Sequence, residues 1–156
     1  MTFSIDKTYL TKATQELVQI NSINPSLSAD GKGEAEIGTY VADSLNTLGL
    51  DVELSEIAPG RFNVVGTLKG SGGGRSLLLN AHMDTVGVDG MTIDPLGGDL
   101  RDGRVYGRGS QDMKGSLAAM MAAAKALVDA GITLKGDLII TGVADEEHSS
   151  IGTEAL

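Results

Sequence analysis

Ser76-Leu77-Leu78-Leu79-Asn80-Ala81-His82-Met83-Asp84 is the stretch on which the fold turns. Three consecutive leucines with polar residues beyond them read as a strand over 76–81. An unbroken apolar run of this kind suits a strand covered on both faces. Directly after it stand an imidazole and a carboxylate two residues apart, His82 and Asp84. Residues so spaced on an extended chain point to the same face. Asp84 can therefore take one imidazole N–H and leave the other ring nitrogen free for a metal, an arrangement common at metal-bound histidines. A satisfied surface His-Asp pair is the competing reading, and this motif alone does not choose between them.

The same pattern recurs downstream. Asp137 to Val143 reads as a second buried strand, and Asp145-Glu146-Glu147 follows it. Adjacent side chains on a regular strand point in opposite directions, so the chain must bend if both glutamates serve one site. One glutamate would then bind metal and the other stay free as a general base. Between the two strands lies Gly107-Arg108-Gly109-Ser110-Gln111-Asp112, a turn leading into a helix expected over 116–130. The glycines permit a sharp turn, and the helix N-terminus favours an ionised Asp112. Its two oxygens can bridge two cations. Each motif also has a plain reading: a helix cap for Asp112, a solvent-facing glutamate for the pair. Together, one imidazole and several carboxylates with little positive charge beside them make a poor core and a good metal site. Sites in open α/β sheets form outside the carboxyl ends of the strands, where these motifs fall.

Working outward, a first helix is expected from an Asp6 N-cap, with Leu10, Ala13, Leu17 and Ile20 as its apolar stripe. It stops before Asn24-Pro25, because the residue before proline avoids the helical region. A second helix is expected over 34–48, with Ile37, Val41, Leu45 and Leu48 inward and Gly49 closing it. Strands follow at 52–57 and 63–68, then a flexible turn at 69–74. A long loop at 87–103 carries short pairing near Leu100 and Val105. Helices alternating with buried strands predict an α/β fold, a mixed, mostly parallel central sheet flanked by helices. The Gly70–Gly74 cluster offers a nucleotide-binding reading, but Arg75-Ser76 leads into a strand and not a helix, which favours a flexible turn over a phosphate loop.

The 156 residues suffice for one domain with a core. Cys and Trp are missing and aromatics make up 3%, so the core must be aliphatic and thiolate zinc sites are excluded. A net charge of −9 argues against nucleic-acid and anionic-membrane partners, which need a basic face. The N-terminus lacks the basic and apolar regions of a signal peptide, and no apolar run approaches the ~18 residues of a membrane span. The expected location is the cytoplasm.

Leu79-Asn80-Ala81-His82-Met83-Asp84-Thr85-Val86, Tyr106-Gly107-Arg108-Gly109-Ser110-Gln111-Asp112-Met113-Lys114-Gly115 and Asp145-Glu146-Glu147 together resemble the M20 family of di-zinc metallopeptidases and deacylases. Order, spacing and flanking residues all agree. The resemblance implies that His82 binds one zinc, Asp112 bridges two and Glu147 binds the second. It makes Asp84 the residue that orients His82, and Glu146 the general base. It implies a cis peptide after Asp112, and amide hydrolysis by a zinc-activated water, with Co²⁺ or Mn²⁺ as alternatives to Zn²⁺. It further implies a zinc-dependent exopeptidase-like fold that is incomplete here. Residues 1–156 would be the N-terminal portion of a metallohydrolase catalytic domain. The lid and dimerisation domain, a further carboxylate ligand and a further histidine ligand would lie outside it. The one other histidine, His148, matches no ligand position. The implied substrate is a small N-acyl amino acid or peptide, and a homodimer is an option for the full-length protein. Overall similarity favours a deacylase resembling acetylornithine deacetylase or succinyl-diaminopimelate desuccinylase, with dipeptidases and carboxypeptidases left open. The expected behaviour of the 156 residues alone is weak metal binding and little or no turnover. The alternative is a truncated, catalytically inactive module of the same type.

Overall fold

The computed structural model describes residues 4–156. Helix α1 (Lys7–Gln19) begins where Asp6 accepts the backbone N–H of Tyr9 at 3.0 Å, and α2 (Ala35–Thr47) follows. A hairpin of β1 (Asp51–Ala58) and β2 (Arg61–Leu68) leads to β3 (Leu77–His82). The short pair β4 (Asp99–Arg101) and β5 (Arg104–Tyr106) precedes α3 (Lys114–Asp129), β6 (Leu138–Val143) and a single turn, α4 (Ile151–Glu154).

Four strands form one sheet in the order β1-β2-β6-β3. β1 with β2 and β2 with β6 are antiparallel, and β3 with β6 is parallel. The sheet is mixed and flanked by helices, but the expected parallel majority is not found among the described residues. The β1-β2 hairpin is the reason: a tight turn reverses the chain, and β2 then joins β6 in the opposite sense. The parallel pairing of β3 with β6 matters most for the site. Its register sets His82 beside Val143, so the residues following β3 and β6 emerge at the same rim.

All three long helices share one hydrophobic cluster. Leu17 of α1, Ile37, Val41 and Leu45 of α2, and Leu117 and Met121 of α3 are fully buried. They meet Val64, Ala81, Leu138 and Ile140 on one face of the sheet. Leu17 belongs to the cluster that α1 and α3 share, and truncating it removes buried apolar volume from that cluster. Leu17→Ala is expected to cost about 2–5 kcal/mol, read as a lowered urea midpoint at unchanged slope.

The reading of 76–81 needs a correction. The strand is present, but it is a sheet edge and is not covered on both faces. Leu77 is 57% and Leu78 49% exposed. Consecutive leucines alternate between faces, and Leu78 pairs in register with Ile139 on the face away from the core helices. The glycine cluster at 70–74 is a turn between β2 and β3, as its sequence context requires. No helix among the described residues is long and apolar enough to cross a membrane.

Candidate metal centre

The rim of the parallel pair collects the three motifs. His82 ends β3 and is 5% exposed, with Nε2 3.1 Å from Asp112 Oδ1 and 3.6 Å from Glu146 Oε2. One ligand atom from each of His82, Asp112 and Glu147 lies within 4.8 Å of the other two. The three come from the end of β3, the turn before α3 and the turn after β6. Glu146 stands at the margin of this group, with its side chain half exposed. His148 stays apart, its Nδ1 2.6 Å from Ser149 Oγ.

Asp84 is the hub. It is wholly buried, and its Oδ1 accepts the backbone N–H of Glu146 at 3.0 Å while Oδ2 accepts that of Glu147 at 3.2 Å. Its relation to His82 differs in detail from the expected side-chain bond. Nδ1 lies 3.0 Å from the Asp84 carbonyl oxygen and 3.5 Å from Oδ1. The carbonyl is placed to take the ring N–H, and the carboxylate acts mainly by charge. Either way Nε2 is the nitrogen turned to the group.

The bend needed after β6 is made at Asp145, whose φ is +66°. The turn before α3 is shaped by Gly109, at φ +78°. A Cβ there would come within 2.9 Å of Thr85 Cγ2 and 3.0 Å of Lys114 Cδ, so a side chain is excluded by both space and backbone conformation. The Asp112–Met113 peptide is cis. Asp112 makes no capping bond to α3, and its side chain is 77% exposed. Lys114 is buried and donates to the Ile20 carbonyl at 2.8 Å, tying this turn to the end of α1; burial pushes its ammonium down to about 7.

Crowded negative charge shows in the titrating groups. Burial pulls the His82 imidazolium down, but Asp84 and Asp112 outweigh it and its pKa rises to about 9. Burial alone would raise Asp84. Its contacts with His82, Asn24 and the Glu147 and Glu146 N–H groups win, and its carboxyl lies below the usual carboxylate range. Glu147 is shifted upward by burial; His82 opposes the shift, and Asp112, Asp84 and Glu146 add to it. An imidazole nitrogen and carboxylate oxygens gathered this closely form a donor set that suits a divalent cation of the zinc type.

Beneath the rim lies a buried polar layer that the sequence reading passed over. Arg61 Nε and Nη2 bond the two carboxylate oxygens of Glu34 at 2.6 and 2.7 Å, and Nη2 also reaches Asp145 Oδ1 at 3.0 Å. Glu34 is 0% and Asp145 2% exposed. The bond to Glu34 holds the guanidinium pKa above its ordinary value despite burial. Asn24 Nδ2 bonds Asp84 Oδ2 at 2.7 Å and Asp145 Oδ1 at 2.9 Å. Asn24 reads locally as a helix stop and Glu34 as a helix start. Their partners lie tens of residues away, where no short-range pattern reaches.

Comparison with known proteins agrees with this architecture. Residues 78–156 match the model of peptidase family M20/M25/M40. The chain is 37% identical over 144 residues to an N-formyl-4-amino-5-aminomethyl-2-methylpyrimidine deformylase of Halalkalibacterium halodurans, covering 89% of this chain and 34% of that protein. It is 38% identical over 122 residues to the protein of the same name from Bacillus subtilis, covering 75% of this chain and 29% of that protein. Among solved structures, a tripeptidase from Staphylococcus aureus superposes with a TM-score of 0.77 at 29% identity, covering 97% of this chain and 40% of that one. The chain thus spans about a third of the length of the curated relatives it matches. With the match extending from β3 through the Asp145–Glu147 turn, the chain belongs to peptidase family M20/M25/M40.

Proposed function

We propose that this chain carries part of the catalytic centre of a metal-dependent amide hydrolase, with zinc as its metal and a small N-acylated compound as its substrate. The observation that carries the reading is the meeting of His82, Asp112 and Glu147 within 4.8 Å. His82 and Glu147 would each hold one ion, and Asp112 would bridge the two. When bound, the ions would polarise the scissile carbonyl and bring the pKa of water towards about 7.

The chain's own residues have separate tasks. Asp84 and its carbonyl fix the His82 ring so that Nε2 faces the group. The exposed carboxylate of Asp112 sets Oδ1 3.1 Å from His82 Nε2. Glu146 takes a proton from the attacking water and delivers it to the leaving amine. Its marginal position, with backbone held by Asp84 and side chain half exposed, suits a group that must move a proton rather than bind an ion.

The ligand set in these residues is short of that needed for two ions. Because the matched relatives are about three times longer, we propose that the remaining ligands and a lid domain lie outside this chain. Its 156 residues alone would bind metal weakly. A cytoplasmic location and a full-length homodimer belong to the same reading. The deformylase names of the relatives favour removal of a small acyl group from nitrogen over peptide cleavage. A screen of the full-length protein against N-formyl, N-acetyl and N-succinyl amino compounds beside dipeptides tests this. Hydrolysis that a chelator abolishes and Zn²⁺, Co²⁺ or Mn²⁺ restores is expected, strongest on the acyl compounds. Chelator-resistant hydrolysis, or none on any substrate, would overturn the reading.

A further inference from the structure

We propose that Asn24 is a positioning residue for the metal-binding group, the side chain that locks the two halves of the rim together. The inference rests on the functional reading above. Asn24 is fully buried, and its amide nitrogen bonds two carboxylates at once, Asp84 Oδ2 at 2.7 Å and Asp145 Oδ1 at 2.9 Å. Asp84 belongs to the motif after β3 and Asp145 to the motif after β6. The amide cannot be turned the other way, because Asn24 Oδ1 already accepts the backbone N–H of Ser26 at 3.0 Å. Reversal would also set an oxygen against two anions.

The residue is itself held in place. Its N–H donates to the Thr85 carbonyl at 2.8 Å, the Thr85 N–H donates to Ser22 at 3.1 Å, and Ile23 pairs with Thr85 in a parallel bridge. The segment leaving α1 is thereby stitched alongside the residues that follow β3. Asp145 receives its second donor from Arg61 Nη2 at 3.0 Å. Asp84 receives its other donors from the Glu146 and Glu147 N–H groups. Charge makes the bridge necessary. Glu34, Asp84 and Asp145 are three buried carboxylates, and Arg61 is the cation that reaches two of them. Asp84 lies outside the reach of that guanidinium, and the Asn24 amide is the neutral donor that holds Asp84 and Asp145 side by side. Without it the two anions separate. Asp84 then turns relative to His82, and the Asp145–Glu147 bend moves relative to Asp112.

The test is Co²⁺ binding by the full-length protein, followed by visible absorption and by titration, with folded fraction matched from urea denaturation. Asn24→Ala is expected to weaken Co²⁺ binding about 10- to 100-fold, the usual effect of losing a residue that holds the ligands. The absorption bands are expected to change shape, which a mere loss of folded protein would not cause. Asn24→Asp, nearly the same size, is expected to do the same, because it offers a carboxylate where a donor is required. Should both variants fail to fold, the native protein decides through the NMR signals of the Asn24 side-chain amide. Both amide protons are expected to shift when Zn²⁺ is added, and unmoved signals would overturn the proposal. Native protein that takes up no Co²⁺ would defeat the metal-hydrolase reading and this inference together. Native protein that binds Co²⁺, with variants that match it in affinity and spectrum, would defeat this inference alone.

Discussion

Glu146→Gln in the full-length protein is expected to lower turnover about 100- to 10,000-fold while leaving its metal content unchanged. Gln has the same shape, and the bond that holds this residue in place comes from its backbone N–H to Asp84, which the substitution keeps. What is lost is the capacity to accept a proton from water and pass it on. Because Glu146 stands outside the trio of His82, Asp112 and Glu147, bound metal is not expected to fall with activity. Measuring kcat and metal stoichiometry on the same preparation separates the two. A variant of near-native kcat would remove Glu146 from the chemistry, and one that lost its metal would make it a ligand instead.

Arg61→Met is expected to be the most damaging single change to stability. Arg61 is 8% exposed, and its guanidinium serves Glu34 and Asp145, which are 0% and 2% exposed. Removing one partner of a buried ion pair typically costs about 3–5 kcal/mol, because the other charge is left without compensation. Small domains have about 5–15 kcal/mol in total, so much of the protein's stability is at stake. At about 2–4 °C per kcal/mol, the melting temperature should fall by roughly 10 °C. Pairing the change with Glu34→Leu should recover part of the loss, since well-packed apolar replacements for a buried pair are often tolerated. A melting curve within one degree of native for Arg61→Met would show that the buried pair carries no such burden.

Much of this molecule was legible locally. Asp6 capping α1 and the apolar spacing of Ile37, Val41 and Leu45 act over a few residues, and the helices they define are present, though α1 ends at Gln19, ahead of the expected stop at Asn24-Pro25. The motifs after β3 and β6 were legible for a different reason. Strand ends are marked by the switch from leucine and isoleucine to charged residues, and parallel pairing then carries both ends to one rim. Two things escaped. Strand direction was misjudged, because an apolar run does not encode whether its neighbour runs parallel or antiparallel. Burial of Leu77 and Leu78 was misjudged too, since the run does not say whether a strand is central or at an edge. The polar layer of Asn24, Glu34 and Arg61 escaped as well. Asn24 lies 60 residues from Asp84 and 121 from Asp145 in sequence, and nothing near a buried amide or arginine announces its partner.

Zinc-edge anomalous diffraction from crystals of the protein soaked in excess Zn²⁺ asks the main question most directly. Anomalous density is expected among His82 Nε2 and the carboxylate oxygens of Asp112 and Glu147, with Glu146 beside it. Ordered crystals showing zinc bound at other surfaces, and none among these three side chains, would contradict the account.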